Sequence, residues 1–152
     1  MAGCTGISVS VGLEAPVGTA GGRSRLLMVD DEQRILQLFA PLLEDAGFYV
    51  RTASTPDEAL RLVREDSFHI AFVDQFLGTV KGLDLLDDLS AASPGLHFVI
   101  MTACASPDLA VEAMKRGASD FLSKPFFIGD FIRSIEYVQK KIALSRKAWK
   151  EI

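Results

Sequence analysis

From Arg25 onward, short apolar segments alternate with longer ones whose apolar residues recur every three or four positions. A nearly unbroken apolar run marks a strand covered on both faces, and a helical segment between successive runs is what joins parallel strands. Five segments read as strands: Arg25–Val29, Tyr49–Ala53, His69–Val73, His97–Met101 and the short Asp120–Leu122. The expected fold class is therefore α/β, a doubly wound parallel sheet built from five βα units.

The connecting segments carry their own punctuation. A first helix is predicted from Glu32 to Ala46, with Ile35, Leu38, Phe39, Leu42 and Leu43 on its apolar face, and Gly47 stopping it. Pro41 lies inside it, removes one backbone hydrogen bond and predicts a kink. Thr55-Pro56-Asp57-Glu58 reads as the start of a second helix: an N-cap, a proline at the first helical position and a glutamate completing a capping box. After the third strand comes a loop with Gly78 and Gly82, then a helix from Leu83 to Ala91 ended by Ser93-Pro94-Gly95. Ser106-Pro107 opens a fourth helix that Gly117 closes, and a last one starts near Ile128. There Phe131, Ile135, Val138, Ile142, Trp149 and Ile152 follow alternating four- and three-residue steps, with Ser145 filling the gap: a heptad seam.

Size and charge narrow the function. A chain of 152 residues buries roughly two thirds of its unfolded surface, so no disulfide or metal is needed to make it fold. Cys4 and Cys104 form neither a CxxC pair nor a zinc spacing, which reads as a reduced, cytoplasmic setting. A net charge of −4 argues against direct nucleic-acid binding by this chain, and no apolar run approaches the ~18 residues of a membrane span. Residues 1–24, rich in Gly, Ser, Thr and Ala, have no basic residue before Arg23 and read as a flexible tail rather than a signal peptide.

Polar residues stand at the carboxyl ends of four predicted strands: Asp30-Asp31, Asp74, Thr102 and Lys124. A parallel sheet gathers those ends on one edge, where open α/β sheets bind ligands. Three close carboxylates need a counter-charge, and hard oxygen donors suit Mg²⁺. With a divalent ion, Lys124 and the Thr102 hydroxyl, the edge has what a dianionic phosphoryl group requires, and Asp74 can serve as a nucleophile forming an acyl phosphate. The histidines His69 and His97 precede apolar strand residues and read as satisfied strand-end side chains.

Here the residues carry a resemblance. LLMVDDE (Leu26 to Glu32), Asp74 with Gly82 eight residues on, MTA (Met101 to Ala103) and GASDFLSKPF (Gly117 to Phe126) occur in the order of a bacterial response-regulator receiver domain, collinear from Arg25 to about Val138. The resemblance implies a flavodoxin-like sheet of order 2-1-3-4-5, with a receiver over 25–142 and an extension of the last helix over 143–152. It further implies Asp74 as phosphoacceptor, Asp31 as a direct Mg²⁺ ligand, Asp30 holding the metal largely through water, and the Phe76 carbonyl as third protein ligand. Lys124 would pair with Asp74 before phosphorylation and with a phosphoryl oxygen afterwards, Thr102 and the Ala103 N–H would bind the others, and the Lys124-Pro125 bond would be cis. Thr102 and Phe121 would form the switch, read out on the face of the fourth helix, fifth strand and last helix. Phe121, lacking a tyrosine hydroxyl, would turn under packing alone. The implied partner is a histidine kinase or phosphotransfer protein.

Departures from the family pattern are local. Gly78 stands where receivers commonly have proline, which predicts a looser loop. Lys81 stands where an acidic residue is common, and is either solvated or an added positive charge near the site. Phe76 and Cys104 occupy positions that in receivers line the approach of the hydrolytic water, so a bulky Phe76 predicts slow self-dephosphorylation. A Mg²⁺-dependent phosphohydrolase is disfavoured, because Phe76 occupies the place of its usual second aspartate. A scaffold that is never phosphorylated is disfavoured by the intact acidic set. The last helix beyond Ile142 is either a solvated tail or a segment that dimerises or leads into an output domain.

Overall fold

The computed structural model describes residues 23–151, with side chains over 23–145. Most of the predicted tail, Cys4 included, lies outside the described residues, as do Ile152 and the Trp149 side chain. The apolar segments form β1 (Arg25–Val29), β2 (Tyr49–Ala53), β3 (Ile70–Asp74), β6 (His97–Thr102) and β7 (Asp120–Ser123). Between them run helices α1 (Gln33–Asp45), α2 (Pro56–Glu65), α3 (Gly82–Ala92), α4 (Pro107–Lys115) and α5 (Ile128–Glu151). The five strands make one parallel sheet in the order β2-β1-β3-β6-β7, the expected 2-1-3-4-5 arrangement. Chain order reverses between β1 and β3, which opens a crevice at their carboxyl ends.

Alternate strand residues point to opposite faces, and each face has its own core. Leu27, Val29, Ala71, Val73, Phe98 and Ile100 pack under α2, α3 and α4. Leu26, Met28, Ile70, Phe72, Val99 and Met101 pack under α1 and α5. Burial on both sides is why these strands read as continuous apolar runs. The second core holds Phe39, Phe72, Phe126 and Phe131, with ring centroids 4.8–5.3 Å apart and mostly edge to face.

The buried face of α1 differs from the predicted one. Leu36, Phe39 and Leu43 face the core, whereas Leu38 is 56% and Leu42 40% exposed. Two apolar stripes run side by side on this helix, and only the sheet decides which turns inward. α1 continues unbroken through Pro41, which is exposed, so water can replace the missing hydrogen bond. Gly47 and Gly117, at φ +104° and +99°, end α1 and α4 as expected. The Thr55 Oγ1 accepts the Glu58 N–H at 3.1 Å, while the Glu58 carboxylate reaches the Ser54 N–H at 2.9 Å, one residue further back than the predicted box.

Two further features depart from expectation. The predicted loop after β3 is an antiparallel hairpin, β4 (Phe76–Leu77) with β5 (Val80–Lys81), turning at Gly78 with φ +64°. Ser24, placed in the flexible tail by sequence, is 1% exposed: its hydroxyl accepts from Gln139 Nε2 at 2.9 Å and its carbonyl from the Tyr49 N–H at 3.0 Å. Phe131, Ile135 and Val138 of α5 are fully buried, Ile142 partly, and the helix continues to Glu151.

Candidate functional site

Strand register builds the site. Val29 pairs with Val73, Asp74 with Met101 and Thr102 with Ser123, so Asp30, Asp74, Thr102 and Lys124 arrive together at the carboxyl edge. One carboxylate oxygen from each of Asp30, Asp31 and Asp74 lies within 4.8 Å of the others. Asp30 and Asp74 are buried and Asp31 is exposed, so the trio opens on one side. Lys124 Nζ stands 3.1 Å from Asp30 Oδ2 and 3.3 Å from Asp74 Oδ1, bridging both buried acids rather than Asp74 alone. The cis Lys124-Pro125 bond follows directly.

These acids are electrostatically strained. Burial, then the nearby Asp30 charge, push the Asp74 carboxyl up to about 6 against the pull of Lys124. Asp30 is also raised by burial, opposed by the Glu32 N–H at 2.9 Å and by Lys124. Burial works against the charge on Lys124, but Asp30 and Asp74 outweigh it and hold its pKa above the ordinary value. Three carboxylates against one ammonium leave an excess of two negative charges, all on hard oxygen donors. That donor set fits a small divalent cation such as Mg²⁺.

Thr102 is fully buried, and its Oγ1 accepts the Cys104 N–H at 3.0 Å, which leaves the hydroxyl proton able to donate. Ala103 and Cys104 are exposed beside it. Phe76, in the hairpin, is 48% exposed, whereas Phe121 is half-buried against the α2–α3–α4 core. His69 Nδ1 accepts the Arg25 N–H at 2.9 Å and His97 Nδ1 pairs with Ser119 Oγ at 3.1 Å, so both are strand-end side chains with partners. A groove of about 520 Å³ reaches Lys124, lined also by Leu38, Phe39, Ala103, Pro125 and Phe126.

Two contributors escaped the sequence reading. The buried Gln75 side chain accepts the Leu83 N–H at 3.2 Å and so caps α3, which has no cap from its own Lys81. Its one sequence signal is a polar residue continuing an apolar strand. The Gly78 N–H donates to Asp31 Oδ2 at 3.2 Å. The signal for it, glycine where proline is common, pointed to looseness instead of to this bond.

Comparison with known proteins is consistent with this geometry. The model of the response regulator receiver domain matches residues 26–136. Over 107 residues the chain is 42% identical to the alginate biosynthesis transcriptional regulatory protein AlgB of Pseudomonas aeruginosa, covering 70% of this chain and 24% of that protein. A response regulator of Burkholderia pseudomallei, solved with a phosphorylated aspartic acid, a calcium ion and citrate, superposes with a TM-score of 0.71 at 30% identity, covering 81% of this chain and 72% of that one. The beryllofluoride-activated NtrC4 receiver domain dimer gives 0.72 at 32% identity, covering 77% and 97%. The chain spans about a quarter of the length of the curated relatives it matches. Among the described residues no helix is long and apolar enough to cross a membrane.

Proposed function

The chain belongs to the response regulator receiver domain family, and we propose that it accepts a phosphoryl group on Asp74 from a phosphohistidine of a histidine kinase or phosphotransfer protein. As a receiver of two-component systems it is a signalling module rather than an enzyme that turns over a free substrate. The observation that carries the acceptor assignment is the buried Asp74 beside Asp30, bridged by Lys124 at 3.1 and 3.3 Å, with Asp31 open to solvent.

An Asp74 carboxylate oxygen attacks phosphorus in line. The N–P bond breaks, its electron pair stays on the imidazole nitrogen, and an acyl phosphate forms. Asp31, Asp74 and the Phe76 carbonyl would hold Mg²⁺, with Asp30 acting on it through water, and the ion would supply positive charge that lets the acids and the phosphoryl oxygens share one site. Lys124 exchanges its contact with the Asp74 carboxylate for a phosphoryl oxygen. Thr102 donates its free hydroxyl proton to a second oxygen and the Ala103 N–H donates to a third.

Movement of Thr102 and Phe121 carries the signal to the face made by α4, β7 and α5. That face exposes Val111, Met114 and Tyr137 to an output domain or a second copy of the chain. Phe76 and Cys104 flank the acceptor, and the bulk of Phe76 slows the approach of hydrolytic water.

Intact-mass measurement after incubation with Mg²⁺ and acetyl phosphate tests the acceptor. A single phosphoryl adduct is expected, absent in Asp74→Ala and without Mg²⁺, and outlasting several minutes. No adduct under any condition would make the chain a scaffold, and donor consumption without accumulation would make it a phosphohydrolase.

A further inference from the structure

The three acids are not held alike. Asp30 is fixed by the Glu32 N–H at 2.9 Å and by Lys124, and Asp74 by Lys124. Asp31 faces solvent, where a free carboxylate samples several rotamers. What reaches it is the tip of the β4–β5 hairpin, through the Gly78 N–H at 3.2 Å. A carboxylate has two oxygens, so this bond to Oδ2 leaves Oδ1 available to a cation.

The hairpin is itself anchored. Leu77 is 3% exposed, the Gly82 N–H donates to the Gln75 carbonyl at 2.7 Å, and the Gln75 side chain caps α3 through Leu83. Gly78 adopts φ +64°, a left-handed conformation natural to glycine. A proline at this position would have neither that φ nor an N–H to give.

We propose that the Gly78 amide is the positioning group of the cation site, with the β4–β5 hairpin holding Asp31 in its ligating orientation before Mg²⁺ arrives. This rests on the reading of Asp31 as a Mg²⁺ ligand. Groups that orient a ligand in this way carry a substantial share of metal affinity.

The test uses the full ¹⁵N-labelled chain titrated with Mg²⁺ alone. The Gly78 amide resonance should move in step with Mg²⁺ binding and should also shift in Asp31→Ala. Gly78→Pro, which deletes the N–H, should weaken Mg²⁺ binding about tenfold. Gly78→Asn keeps the N–H, its added Cβ meets nothing within 4 Å, and asparagine is the side chain that best tolerates the left-handed φ of +64°, so most of the affinity should survive. An unmoved Gly78 resonance, parental affinity in Gly78→Pro, or equal weakening in both variants overturns the proposal. If Gly78→Pro does not fold, the resonance of the parent chain decides. Parental Mg²⁺ affinity in Asp31→Ala would instead bring down the metal reading on which the proposal stands.

Discussion

Asp74 is the residue whose ionisation the fold resists most visibly. Its folded pKa of about 6 lies above the ordinary 3.8, so the fold favours the neutral acid. That preference stabilises the protein fully below pH 3.8 and is lost as pH rises through 6. At neutral pH and without metal, the ionised acid therefore holds the fold up to about 3 kcal/mol below what a neutral side chain would allow. Asp74→Asn should melt higher than the parent at pH 7.5 in chelator, and the gap should close by pH 4; a gap independent of pH would exclude this origin. Gly82 is constrained sterically instead. A Cβ there would lie 2.3 Å from the Asp74 carbonyl oxygen, whereas one at Gly95 meets nothing within 4 Å. Urea unfolding should show Gly82→Ala destabilised by about 2–4 kcal/mol and Gly95→Ala barely changed. The strand-end residues themselves were legible, because a polar side chain closing an apolar run has few structural reasons to be there. The second partner of Lys124 was not: its bond to Asp30 joins residues 94 positions apart and depends on strand register, which sequence periodicity does not encode.

Among the elements, those fixed by local chemistry were readable and those fixed by neighbours were not. The Thr55 and Ser106 caps bond to amides three residues on, as their spacing predicts. Thr55→Ala or Ser106→Ala should each lower stability by about 1 kcal/mol in denaturant unfolding. The β4–β5 hairpin has two-residue strands, too short for any period to show. α1 displays two interlaced apolar stripes, so its inward face was open until the sheet was in view. The consequence is measurable: Leu43→Ala should cost about 2–5 kcal/mol, while Leu38→Ser and Leu42→Ser should stay within about 0.5 kcal/mol of the parent.

On the scale of the whole molecule, the acidic trio belongs to no single element, so any ion it binds binds only the folded chain. At about one hundred times its dissociation constant, Mg²⁺ should add about 2.7 kcal/mol and raise the melting temperature by about 5–10 °C. Asp31→Ala should abolish that rise in a thermal scan. The fold class was legible throughout because each strand is buried on both faces, which writes the layering directly into the sequence. The bridge from Asp30, just after β1, to Lys124, just after β7, also joins the first strand of the sheet to the last. A chain growing from its amino end exposes all three acids well before their ammonium partner leaves the ribosome. Until the last strand docks, the growing chain carries an acidic cluster without its ammonium, so the charge balance of this edge comes into being only once β7 is in place.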